Sequence, residues 1–150
     1  MKAISVRQPW AWLIADFDGA GAIPPKRLEN RRTLKNIRGR FLIHAGKGFD
    51  TEGWRWLLGH KNAQTQTDTF WRSLSTAKWD APRGGIVGVA DIVGVICPGF
   101  ELPAELVGQW LWRDEDQNSL ILKNVSSVKF FPCPGKLSVF EVDYPYDLKG

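Results

Sequence analysis

A chain of 150 residues with 43% apolar content amounts to a single domain, 1–150, able to bury about two-thirds of the surface its unfolded form exposes. Its two cysteines each precede a proline without a second Cys or His at ligand spacing, which argues against a zinc site and for a reducing, cytoplasmic setting; Arg7, Gln8 and Pro9 interrupt any signal-like run, and no stretch approaches the roughly 20 apolar residues of a membrane span. The formal charge of +4 conceals a segment from Lys26 to Lys47 with eight Lys and Arg against the single acid Glu29, the remainder being net acidic, so a phosphate-rich partner is the first expectation.

In chain order, Lys2 to Val6 reads as a short strand and Pro9 to Phe17 as a helix, with Trp10, Leu13, Ile14 and Phe17 on its core side and Asp18 to Gly21 ending it. Pro24-Pro25 opens an extended segment through Lys26 to Arg32, and Arg38-Gly39 leads into a buried strand, Arg40 to Ala45, so that two strands flank a basic turn. From Asp50 to Trp79 the pattern is helical: Trp54, Leu57 and Leu58 share one face, and a second helix from Thr67 to Lys78 carries Phe70, Trp71 and Leu74. Gly85 to Ile96 is rich in β-branched residues and interrupted by glycines, the mark of a bent strand. Pro103 to Gly108 reads as a short helix; Trp110 and Trp112 alternate by two, so that in a strand they would share a face; and Ser119 to Phe131 and Lys136 to Val142 read as the last strands, around a Pro132 to Gly135 turn. Five or six short strands with helices inserted early and in the middle predict an α+β fold around a small, strongly curved sheet or barrel.

Eight tryptophans beside a basic segment suggest single-stranded or flipped-out nucleic acid, because Trp supplies flat faces for unpaired bases. Arg31 suits a phosphate or base edge, Lys26 a point charge on phosphate, and Glu29 an acceptor for an exocyclic amine. On an extended segment Glu29 and Arg31 share a face and Lys26 starts on the other, so a bend is needed to unite them; the alternative is a salt-bridged surface strand. Gln8 can read a base or serve its own turn, and the helix start beside Trp10 favours an anion. His44 is either a satisfied core residue or an acid–base imidazole, with His60 at a helix end. Trp110 and Trp112 can form a stacking shelf or plug the barrel, while Lys35, Arg38, Arg40 and Lys47 would hold an RNA backbone without reading its sequence.

Several motifs taken together resemble the ASCH domain of the PUA-like superfamily. Ile4-Ser5-Val6-Arg7-Gln8-Pro9-Trp10-Ala11 is similar to the family's opening strand and helix start, and Lys26-Arg27-Leu28-Glu29-Asn30-Arg31 to its G-x-K-x-x-E-x-R motif, although Ile23-Pro24-Pro25 stands where the motif's Gly is usual. Gly39 to Ala45, Gly85 to Ile92, Leu122 to Val125 and Pro132 to Gly135 resemble later strands, so the similarity covers nearly the whole chain.

The resemblance implies a PUA-like barrel of five or six strands with flanking helices, and a cleft between the first helix and the barrel. It implies RNA binding there, with a single strand or modified base admitted among Gln8, Lys26, Glu29, Arg31 and His44. It also supplies enzymatic alternatives, a metal-independent ribonuclease or an amidohydrolase of acetylated cytidine, in which Lys26, Glu29 and His44 would be catalytic. The amidohydrolase pattern has Thr three residues after the lysine, where this chain has Glu29. No metal or cofactor is expected. A protein-interaction module built on the Trp-rich helices is the remaining alternative.

Overall fold

The computed structural model describes residues 1–19, 23–59 and 82–148. The helix expected at Thr67 to Lys78, with Phe70, Trp71 and Leu74, lies outside the described residues, as do His60, Trp79 and the side chain of Leu58. The chain runs β1 (Lys2–Gln8), α1 (Trp10–Ala15), β2 (Leu28–Arg31), β3 (Gly39–Phe49), α2 (Thr51–Gly59), β4 (Gly85–Ile96), a 3-10 helix (Ala104–Trp112), β5 (Asn118–Pro132) and β6 (Val139–Glu141).

The fold is α+β, with a six-stranded mixed sheet ordered β2-β5-β4-β3-β1-β6. β1 pairs with β3 in parallel, across a connection that contains α1 and β2; every other pairing is antiparallel. The sheet is not closed into a barrel, because β2 and β6 end it without pairing with each other. Its curl nevertheless carries the β2 edge to β1, where the Arg31 guanidinium donates to the Ser5 carbonyl. The connection there is one side chain in place of a strand ladder. Among the described residues no helix is long and apolar enough to cross a membrane.

The central strands are buried on both faces, which is why Phe41-Leu42-Ile43 reads as a continuous apolar run. On one face Ile4, Val6, Phe41, Ile43, Val87, Ile92, Leu120 and Leu122 pack with Ala11 and Ile14 of α1. On the other, Ala3, Leu42, Ile86, Val89, Phe140 and Val142 form a separate cluster. A third cluster joins Leu13, Phe17, Ile23, Leu28, Trp54, Leu57, Leu111 and Trp112, tying α1, α2 and the 3-10 helix together beside β2. β4 bends as its glycines suggest, with register shifts against β5 at three places. At Gly88 a Cβ would stand 2.7 Å from the Cβ of Ala15, so only glycine lets α1 approach this strand so closely.

Trp110 and Trp112, which would share a face in a strand, do not lie in one: both belong to the 3-10 helix, which continues four residues beyond the expected stop at Gly108. The two rings diverge, Trp112 being buried and Trp110 exposed. A three-residue turn is the reason, since it sends positions two apart in different directions.

Candidate nucleic-acid interface

A cleft of about 550 Å³ opens beside β2, within the range of small-molecule sites. Lys26, Glu29, Asn30 and Arg31 line it from β2 and the segment before it; Arg7, Trp10 and Trp56 belong to the side of β1, α1 and α2; and Leu111 to Glu115 with Gln117 lie on the side of the 3-10 helix and β5.

Lys26 is brought to Glu29 because the strand does not begin at the lysine. Its N–H donates to the Leu13 carbonyl at 3.1 Å, leaving Lys26 on the irregular segment that precedes Leu28, and its side chain folds back so that Nζ donates to the Leu28 carbonyl and to Glu29 Oε1, the latter at 3.0 Å. Arg31 follows Glu29 by two on the same strand face and sets Nε 3.1 Å from Oε2, although off the hydrogen-bond axis. One carboxylate therefore bridges two cations, with Lys26 only 3% exposed and Glu29 7%. Burial holds the Lys26 ammonium below its ordinary range; Glu29 opposes that shift and Arg31 adds to it. Buried ion pairs contribute little net stability because desolvation offsets their attraction, so such a cluster in a cleft marks a candidate site.

Asp50 organises one wall. It accepts the Gly53 N–H at Oδ1 (3.0 Å), capping α2, and the Trp10 indole N–H at Oδ2 (2.9 Å), with Arg7 Nη2 3.6 Å away. Burial pushes the Asp50 carboxyl upward, but the Gly53 N–H, the Trp10 indole and Arg7 together hold it below the usual range. The Trp10 ring meets Trp112 edge-on, with centroids 6.3 Å apart at 75°. Trp56, 51% exposed, adds an aromatic surface from α2.

The other wall is fastened to β2 by amides. Asn30 donates to the Trp112 carbonyl (3.0 Å) and accepts from the Ser119 hydroxyl (2.6 Å) and the Asp114 N–H (3.2 Å). Gln109 spans the Arg27 N–H and the Pro25 carbonyl, and the Trp112 indole N–H donates to the Pro24 carbonyl.

The remaining sequence-derived candidates lie elsewhere. Gln8 spends its amide on the fold, accepting from the Trp12 N–H and donating to the Pro82 carbonyl, each at 2.9 Å, and does not line the cleft. His44 is 1% exposed under the Pro132 to Gly135 turn, with Nε2 2.8 Å from the Cys133 carbonyl and Nδ1 3.0 Å from the Ser5 hydroxyl. The carbonyl only accepts, so Nε2 carries a proton; the second nitrogen is then free to accept from Ser5. His44 therefore does not join Lys26 and Glu29 in the cleft. Lys35, Arg38 and Lys47 are exposed and outside it, and Arg40 of β3 pairs with Asp91 of β4 at 2.9 Å, across the two central strands and also outside the cleft lining.

Among the described residues the cleft lining itself is nearly balanced, with Arg7, Lys26, Arg31 and Arg113 against Glu29, Asp114 and Glu115. Sequence reasoning passed over Arg7, Asn30, Trp56 and Gln117. Arg7 belongs to the Ile4 to Ala11 motif and Asn30 to the Lys26 to Arg31 motif, whereas nothing in the local pattern singles out Trp56 or Gln117. Among the described residues no group of three or more His, Cys, Asp or Glu side chains is placed to hold a metal ion. In comparison with known proteins, no family model matches this chain and no curated protein matches it.

Proposed function

We propose that the protein is an ASCH-type, PUA-like nucleic-acid-binding module that admits one base of a single-stranded RNA, or a modified base, into the cleft beside β2. The observation that carries this reading is the buried Lys26–Glu29–Arg31 cluster on the cleft lining. Each Glu29 oxygen has a second lone pair left to accept an exocyclic amine, and Lys26 has a third donor for a base carbonyl. The exposed face of Trp56 suits stacking, and the curl that brings Arg31 to Ser5 supports a barrel-like relation of β2 to β1.

The test is binding of the full chain to short single-stranded RNA, matched DNA and duplex RNA, together with a panel of modified and unmodified nucleosides. RNA-selective binding in which Glu29→Gln alters the preference among bases is the expected result. Equal binding to all strands and unchanged preference in that variant would remove the reading.

Hydrolysis of an amide on a modified nucleoside is a second reading, favoured by the placement of Lys26, whose burial brings its amine closer to a base at neutral pH. Release of carboxylic acid from an acylated nucleoside, abolished in Lys26→Met, would put this reading first; intact nucleoside after prolonged incubation would remove it.

A further inference from the structure

Among the described residues four cationic side chains line the cleft, and three are committed. Lys26 and Arg31 share Glu29. Arg113 donates from its two terminal nitrogens to five backbone carbonyls and the Ser119 hydroxyl, which makes it a structural knot. Arg7 differs: its side chain is 64% exposed, and its contact with Asp50, at 3.6 Å, lies beyond hydrogen-bond distance. Asp50 already receives the Gly53 N–H and the Trp10 indole. The Arg7 stem lies along Gly48, where a Cβ would stand 3.5 Å from Cδ, so the guanidinium is partly positioned with its donors still available. The opposite wall carries Asp114 and Glu115, which repel phosphate.

We propose that Arg7 binds a single terminal phosphate at the rim of the cleft, so that the cleft takes a nucleotide from a strand end, or a free mononucleotide, and not one from the interior of a strand. This rests on the nucleotide reading of the cleft. An interior nucleotide carries a phosphodiester on each side; with one held at Arg7, the next is carried toward the Asp114–Glu115 wall. A terminal nucleotide presents one phosphate to Arg7 and its neutral base to the Lys26–Glu29–Arg31 cluster.

The experiment titrates the full chain, followed by tryptophan fluorescence, with nucleosides, their 5′- and 3′-monophosphates, linear oligoribonucleotides with and without a terminal phosphate, and a circular single-stranded RNA. At least one monophosphate is expected to bind about tenfold more tightly than its nucleoside, a gain of the size a charge-assisted bond supplies. Arg7→Gln should abolish that gain, so that monophosphate and nucleoside bind the variant about equally, and Arg7→Lys should retain part of it. The circular strand should fail to displace a bound mononucleotide, and comparing phosphorylated oligomer with mononucleotide distinguishes a strand end from the free compound. A phosphate gain that survives Arg7→Gln, or displacement by the circular strand as effective as by the linear one, overturns the proposal. Nucleoside binding with no gain from phosphate overturns it too and leaves the nucleotide reading standing, whereas absence of binding by every ligand removes both.

Discussion

At Glu29 two carboxylate oxygens face two cations in a nearly dry setting, and the consequences of removing either partner differ. Glu29→Gln leaves the Lys26 ammonium buried beside Arg31 without a countercharge, a change that costs about 3–5 kcal/mol. Lys26→Met removes the desolvated charge at similar volume and leaves Glu29 with Arg31, so its cost should be clearly smaller. Urea unfolding of the two variants checks the order, and equal losses would contradict the geometry. The pH dependence has a definite sign. The folded-state pKa of Lys26 lies below its ordinary value of 10.5, so in the window between the two the unfolded chain binds more protons and this group's contribution to stability rises with pH. The difference in unfolding free energy between the native protein and Lys26→Met should therefore shift in favour of the native protein as pH rises toward 10.5. Asp50 has linkage of the same sign, in an acidic window. Its carboxyl is depressed below 3.8, so its stabilisation is present above that value and is lost as pH falls through the lower folded-state pKa.

At the scale of elements, α1 crosses β4 where Gly88 removes a side chain. Gly88→Ala should cost about 1–3 kcal/mol by overpacking, because its new Cβ meets Ala15 at 2.7 Å and the Ser126 carbonyl at 3.1 Å. Adding Ala15→Gly relieves the first clash and should recover part of the loss beyond its own helix cost; a double variant no better than the sum of the singles would show that the contact is not the cause. This contact also explains what could be read in advance. The bent strand Gly85–Ile96 was legible to the residue, because β-branched alternation and interrupting glycines are local signals. The convergence of Lys26 on Glu29 was not, since it depends on where β2 begins and on the long-range bond from Lys26 N–H to Leu13. Trp110 and Trp112 misled for a related reason: alternation by two is a strand signal, but the anchors at Pro24, Pro25 and Asn30 hold this stretch as a 3-10 helix. His44 was placed correctly on an apolar strand, and only the opposing Ser5 and Cys133 carbonyl determine that its ring serves the fold.

Across the whole molecule, the basic segment that dominates the sequence divides into two populations. Lys26 and Arg31 line the cleft and share the one carboxylate of Glu29, while Lys35 and Arg38 remain exposed on the connection between β2 and β3, outside its lining. Charges exposed to solvent act on an RNA backbone through counterion release, which depends on salt and not on sequence. On the proposed function, cleft groups would act through geometry and depend on the base. The two contributions should therefore separate in one double variant. Lys35→Ala with Arg38→Ala should lower the salt dependence of RNA binding by about 0.7 in log–log slope for each phosphate no longer neutralised, about 1.4 for the pair, and weaken all sequences alike. Nucleoside affinity, which involves no backbone phosphate, should stay unchanged. An unaltered salt slope would mean that RNA does not run over this connection, and a parallel loss of nucleoside binding would mean that these residues shape the cleft from a distance, which their exposed positions give no means to do.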